Sequence, residues 1–242
     1  MAKGRSGGRN TPRRALKPGA KASAPKKPSP QPTAKKAPSP SPAPAPAPAG
    51  PFRLGVVPGA TPGKWTRIWE ERMPRTALEL VPLQFATQRA ALADVDAALV
   101  RLPIQRDGLN VITLYDEVPV VVISVDSDLS AADELEMTDL AGEVLITPAD
   151  DVLGFAASET LAPLFEKPAT TEDAVATVAA GVGVLVVPMS LARLHHRKDV
   201  TYRPLRAGPT STVALVWDAD RTTPLVETFV GIVRGRTANS SR

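Results

Sequence analysis

Four consecutive residues, Pro58-Gly59-Ala60-Thr61, carry the first chemistry legible in this sequence. A Pro-Gly turn ahead of a helix exposes backbone N–H groups. With a threonine hydroxyl beside them, they can take a carboxylate or phosphate oxygen. The same residues also suit a plain capped turn, in which Thr61 serves only its own helix. Lys64 adds charge to the loop on the first reading and is solvated on the second. Arg101 ends an otherwise apolar run. A guanidinium at the C-terminal edge of a strand can hold a carboxylate ligand at two points. A pair with Glu117 or Asp107, or plain exposure, are the alternatives.

Other chemistry is not supported. His195 and His196 are the two histidines, and adjacent histidines cannot share one metal from a single helical face as an i, i+4 pair can. There is no cysteine, so disulfides and thiolate metal sites are excluded. No Gly-x-Ser-x-Gly string or Ser-His-Asp arrangement is present. Gly181-Val182-Gly183 precedes a strand pattern, which makes it no dinucleotide fingerprint. The expectation is a protein without catalysis, metal or cofactor.

The elements that must position these residues follow from hydrophobic period. Phe52–Val57 is a short apolar run ended by Pro58-Gly59, as in a buried strand leading into a loop. Thr61-Pro62 reads as an N-cap followed by proline at the first helical position. Trp65, Ile68, Trp69 and Met73 then share one helical face until Pro74. Strand Leu78–Leu83, short helix Ala86–Ala93 and strand Asp96–Leu102 complete a strand-helix alternation that predicts a parallel sheet with helices on its faces. Farther on come strand Val118–Val125, short helix Leu135–Ala141, strand Val144–Ile146 and a helix capped by Thr171. Strand Val182–Val187, helix Pro188–Leu194, strand Val213–Trp217 and a Thr223-Pro224 helix to Arg234 follow.

Charge divides the chain sharply. Residues 1–50 hold Lys3, Arg5, Arg9, Arg13, Arg14, Lys17, Lys21, Lys26, Lys27, Lys35 and Lys36, and no acid. The rest keeps 18 of the 29 basic residues against all 25 acidic ones, a formal −7. The tail's apolar content is almost all alanine, and twelve prolines fall within it. Such a segment cannot bury a core, and it is predicted to be disordered, with 38–50 an extended spacer. Basic residues without interleaved aromatics suit phosphate contacts that read no sequence, so nonspecific DNA binding is the expectation; a solubilising linker is the alternative. No apolar run approaches the roughly 20 residues of a spanning helix, nor does an apolar stretch follow the basic N-terminus. A cytoplasmic protein without membrane association is predicted.

The order of elements and several local strings resemble one family. Arg53-Leu54-Gly55-Val56, Asp94–Pro103, Leu114–Val121, Thr138–Ala141 and above all Val178–Pro188 are similar, in order, to the effector-binding domain of LysR-type transcriptional regulators. The resemblance covers 51–236, with 237–242 a short C-terminal tail. It implies an α/β fold of two Rossmann-like lobes joined by two crossover strands, periplasmic-binding-protein-like. Lobe I would be 52–118 and 216–236, lobe II 125–208, and the crossovers 119–124 and 209–215. It implies a small, organic-acid-like effector between the lobes at Gly59, Ala60, Thr61, Phe85 and Arg101, with Thr147 and Pro148 facing it from lobe II. It also implies side-by-side antiparallel pairing of two copies. The segment Thr147–Thr170 is shorter than the family's, and the tail has no counterpart of its helix-turn-helix. The expected function is therefore effector sensing with a nonspecific DNA tether, and the alternative is a small-molecule binding module that makes no direct DNA contact.

Overall fold

The computed structural model describes residues 50–235. The basic residues expected to contact DNA, Lys3 to Lys36, lie outside this range, as do residues 237–242. Two sheets organise the described chain.

The first sheet has the order β2-β1-β3-β8-β4. Its strands are β1 (Phe52–Val56), β2 (Leu78–Pro82), β3 (Ala97–Arg101), β4 (Leu109–Glu117) and β8 (Ser211–Asp218). β1 runs parallel to both β2 and β3, as the strand-helix alternation requires, while β8 lies antiparallel between β3 and β4. The period of Trp65, Ile68, Trp69 and Met73 forms α1 (Gly63–Arg72), and the last amphipathic run forms α4 (Pro224–Val233). Trp69 of α1 and Phe229 of α4 meet Phe52 of β1, with ring centroids 4.6 and 5.1 Å from it. All three are fully buried. The Trp69 indole, too large and polar to be buried unpaired, donates to the Thr76 carbonyl at 2.9 Å.

The second sheet is antiparallel, β6-β5-β7, from β5 (Pro119–Ser124), β6 (Leu185–Pro188) and β7 (Val200–Pro204). The unbroken Val-Val-Val-Ile of β5 has a physical reason. Val120 and Val122 pack with α2 (Thr171–Ala179) and α3 (Met189–Leu194), whereas Val121 and Ile123 pack on the opposite face with Leu135, Leu140 and Phe155. A strand covered on both sides needs no polar alternation.

The chain passes between the sheets twice. β4 runs into β5 with only Val118 between them, and β7 leads to β8 through 205–210. The segment 119–124 is thus the central strand of the second sheet, and 211–215 belongs to β8 in the first.

Several local expectations change. Thr61 is exposed and caps nothing; α1 starts at Gly63 after Pro62, whose carbonyl accepts from the Trp65 and Thr66 amides. The cap of α2 is Thr170, which accepts from the Asp173 amide at 3.1 Å, one residue earlier than expected. Residues 86–93 make two 3-10 turns instead of a helix, because Gln88 is drawn aside. Its side chain is buried and bonds both backbone groups of Arg101, donating to the carbonyl at 2.8 Å and accepting from the amide at 2.9 Å. Leu135–Ala141 is reduced to the 3-10 turn Met137–Leu140, and Val144–Ile146 to isolated bridges. Between Thr147 and Thr170 there is no helix or strand element.

The aromatic trio joins β1, α1 and α4, so Phe229→Ala should destabilise the chain by about 3–5 kcal/mol through lost burial and the cavity left behind. Urea denaturation followed by tryptophan fluorescence measures this. A loss below about 1 kcal/mol would mean that α4 is not part of the first lobe's core.

Candidate functional site

Arg101 lies at the end of β3, where the strand opens into the space between lobes, yet it is only 1% exposed. Both terminal nitrogens of its guanidinium are occupied. Nη1 donates to the Glu117 carboxylate at the end of β4 and, at 3.4 Å, to the hydroxyl of Ser211 at the start of β8. Nη2 donates to the Pro58 carbonyl at 2.9 Å and to the Ser190 hydroxyl on α3 at 3.1 Å. Ser190 belongs to the second lobe, so this one side chain ties the two together. Of the alternatives left open by the sequence, the pair with Glu117 is the one formed. Gly59 must remain a glycine here, since its φ is +82° and a Cβ would stand 2.6 Å from the Ser190 oxygen.

The ion pair divides the space between lobes into two cavities. The first, about 510 Å³, has Pro58, Phe85 and Arg101 on the first lobe's side, and Ala149, Thr170 and Leu191 on the second's. That volume is ordinary for a small-molecule site. Asp150, Glu172 and His195 also line it. Asp150 accepts from the Thr171 hydroxyl at 2.9 Å, which fixes the loop before α2. The second cavity, about 570 Å³, holds Gly59, Ala60 and Thr61, and its wall includes Glu117 and Ser190.

The residues singled out from the sequence therefore separate. Phe85 and Arg101 line the first cavity, and Gly59, Ala60 and Thr61 the second. Thr147 and Pro148 line neither. They edge a small recess with Phe155 and Val186, since Pro148 is buried toward the lobe's core and the chain turns outward only at Ala149. Sequence reasoning missed Ser190, Thr170 and Asp150. Thr170 was open to discovery as a threonine three residues before an aspartate; Ser190, within an apolar helix, gave no signal. Among the described residues no three His, Asp or Glu side chains gather as a metal site would need, and no helix is long and apolar enough to cross a membrane.

This architecture can be compared with known proteins. The family model for the LysR substrate binding domain matches residues 46–238. The chain belongs to this family. Within it, the sequence is 28% identical over 207 residues to the Hca operon transcriptional activator HcaR of Escherichia coli K12, covering 77% of this chain and 68% of HcaR. Among solved structures, the reduced OxyR regulatory domain from Pseudomonas aeruginosa is similar with a TM-score of 0.61 at 23% identity, covering 77% of this chain and 98% of that domain. The BenM effector-binding domain with its effector benzoate gives a TM-score of 0.64 at 18% identity, covering 77% and 91%. These two likenesses establish the two-lobed, periplasmic-binding-protein-like fold. As a LysR-type effector-binding domain, the chain is related to transcriptional regulators rather than to enzymes.

Two measurements test the electrostatics of this LysR-type cleft. Glu117→Ala leaves a buried guanidinium without its counter-charge and should cost about 3–5 kcal/mol, whereas Arg101→Met with Glu117→Leu should cost less than the sum of the single changes. Additive losses in a denaturation cycle would show that the pair is not coupled. Tyr115, beside Glu117 in sequence, has its pKa raised by burial and by the Glu117 charge, against an opposing pull from Arg101. The unfolded chain, with a phenol near the ordinary 10, then releases this proton first, and stability should fall as pH rises above that value. With Tyr202→Phe, Tyr115 is the sole tyrosine. Its phenolate absorbance should reach midpoint above about 10 in the folded protein and lower in urea.

Proposed function

We propose that the chain is an effector-sensing regulatory domain that binds a small organic-acid-like ligand in the first cavity and that its basic tail holds it near DNA without reading sequence. One observation carries the reading: the cavity is walled by both lobes, at the place where Arg101 joins them. A ligand there touches Pro58 and Phe85 on one side and Ala149, Thr170 and Leu191 on the other. Its binding energy thus depends on the distance between lobes, and occupancy shifts that equilibrium.

The acid group's partners differ from those expected of the sequence. Arg101 is neutralised by Glu117, so the carboxylate would meet the first amides of α2, past Thr170, and the His195 side of the lining. The acids Asp150 and Glu172 in the lining oppose it. Pairing of two copies side by side is part of the same proposal, as the family's arrangement for presenting two such domains.

A thermal-shift series with small aromatic and aliphatic carboxylates should give a saturable rise in Tm for some members. Glu172→Gln, which removes a negative charge from the lining, should tighten the same ligands several-fold, and Phe85→Ala should weaken them. No rise across a broad series of acids would sink the acid-effector reading.

For the tail, fluorescence anisotropy of a labelled duplex should show binding by the full chain and none by residues 51–242. Affinity should drop steeply between low and near-physiological salt, as phosphate neutralisation requires. Equal binding by both forms would remove the tail from the DNA contact.

A further inference from the structure

A sheet leaves unpaired backbone at each of its edges, so the two sheets of the described residues have four such edges. Three are blunted. β2, β6 and β7 are four or five residues long and end in Pro82, Pro188 and Pro204, which offer no amide to a neighbour. The fourth edge is β4, and it is not guarded in this way. Its nine residues, Leu109–Glu117, include no proline, lysine or arginine. Among the described residues, β8 is the only strand or helix in extended contact with it. Val111, Ile112 and Leu114 are half-buried and Thr113 and Tyr115 exposed, whereas β8, one strand inward, is buried almost throughout.

One bond gives the direction of the free backbone groups. The Ala219 amide donates to the Gly108 carbonyl at 2.9 Å, so at Gly108 the backbone faces β8. Alternate residues of an antiparallel ladder face alternate sides, which turns the N–H and C=O of Val111 and Thr113 outward. Among the described residues, no loop backbone bonds to either. A long, flat, partly apolar edge of this kind is a template for another strand.

Charge and the symmetry of the strand select the occupant. Arg106, just before β4, is exposed and in no ion pair among the described residues; Asp116, near its end, is exposed as well. Laid antiparallel on a copy of itself with Val111 opposite Val111, the strand sets Thr113 opposite Leu109 and Ile112 opposite Asn110. Arg106 then meets Asp116 at both ends. The bulge between Thr113 and Tyr115 offsets Asp116 by about one residue, within the diagonal reach of a long side chain. No like charges face each other in this register, whereas a parallel copy would set Asp116 beside Asp116 and Arg106 beside Arg106.

We propose that β4 pairs antiparallel with β4 of a second copy about a two-fold axis at Val111, continuing two five-stranded sheets as one. Such an interface is isologous and closes on itself, which leaves this edge no room for a third copy. It is independent of the effector reading, and it adds to, without requiring, the side-by-side pairing proposed above.

Sedimentation equilibrium of the full chain from about 1 to 100 µM measures the assembly. Thr113→Lys places a charge on the edge at an exposed position. It should halve the mass at the top of that range, whether or not side-by-side pairs also form, with an unchanged circular dichroism spectrum. Arg106→Glu should weaken association at least about tenfold, and adding Asp116→Arg should restore it. The chain has no cysteine, so single introduced thiols report the register. Val111→Cys should cross-link to its own copy on mild oxidation. Thr113→Cys should not, because two residues beyond the axis the copies stand about 14 Å apart, past the reach of a disulfide. The proposal is overturned if Thr113→Lys and Arg106→Glu both leave the mass of the parent unchanged. Cross-linking of Thr113→Cys in preference to Val111→Cys overturns it as well.

Discussion

A guanidinium withdrawn from water cannot stand without a counter-charge, and the cleft is arranged around meeting that need for Arg101. The requirement fixes more than one partner. Glu117 supplies the charge, Pro58 and the Ser190 and Ser211 hydroxyls take three more hydrogens of the terminal nitrogens, and Gln88 holds the backbone of the same residue from both sides. Replacing such a pair by well-packed apolar groups often costs little, so its presence is weak evidence for stability. What it secures here is register between lobes: five separate stretches of chain must arrive together before the charge is satisfied.

That arrangement reassigns chemistry within the cleft. An arginine at a strand end invites the idea of a ligand carboxylate, but its charge is spent inside the protein. On the function proposed above, recognition falls to groups less conspicuous in the sequence, at the start of α2 and along the lining of the first cavity. The two cavities share a partition and little else. One is bounded by Phe85 and the loop before α2, the other by the ends of β4 and the face of α3.

Most of the fold was legible because it rests on burial patterns that only one arrangement satisfies. The all-apolar β5, the α1 stripe of Trp65, Ile68, Trp69 and Met73, and the Thr223-Pro224 start of α4 each specify an element and its buried face. The strand β7 was missed because Val-Thr-Tyr-Arg-Pro alternates too weakly and follows a charged loop. The helix expected at 86–93 failed for a non-local reason, the claim of the Arg101 backbone on Gln88, which no window of sequence contains. The site was less legible than the fold. Phe85 and Arg101 do share a cavity, but the Gly59–Thr61 loop faces another and Thr147 turns into a recess. Residue type announces what a side chain can do. Which side of a partition it faces depends on rotations of a few tens of degrees that hydrophobic period does not encode.

The link between β4 and β5 is a single residue, Val118, and the only other link between sheets among the described residues is 205–210. Arg101 holds Glu117, the last residue before the first link, and Ser211, the first after the second. In mechanical terms the clamp sits at the fulcrum, not at the tip. A brace placed there has a short lever arm, so it holds the lobes in register close to the two links. For the lobe closure proposed above, this placement acts as gearing: a small adjustment in a buried charge pair would accompany a larger stroke at the open edge.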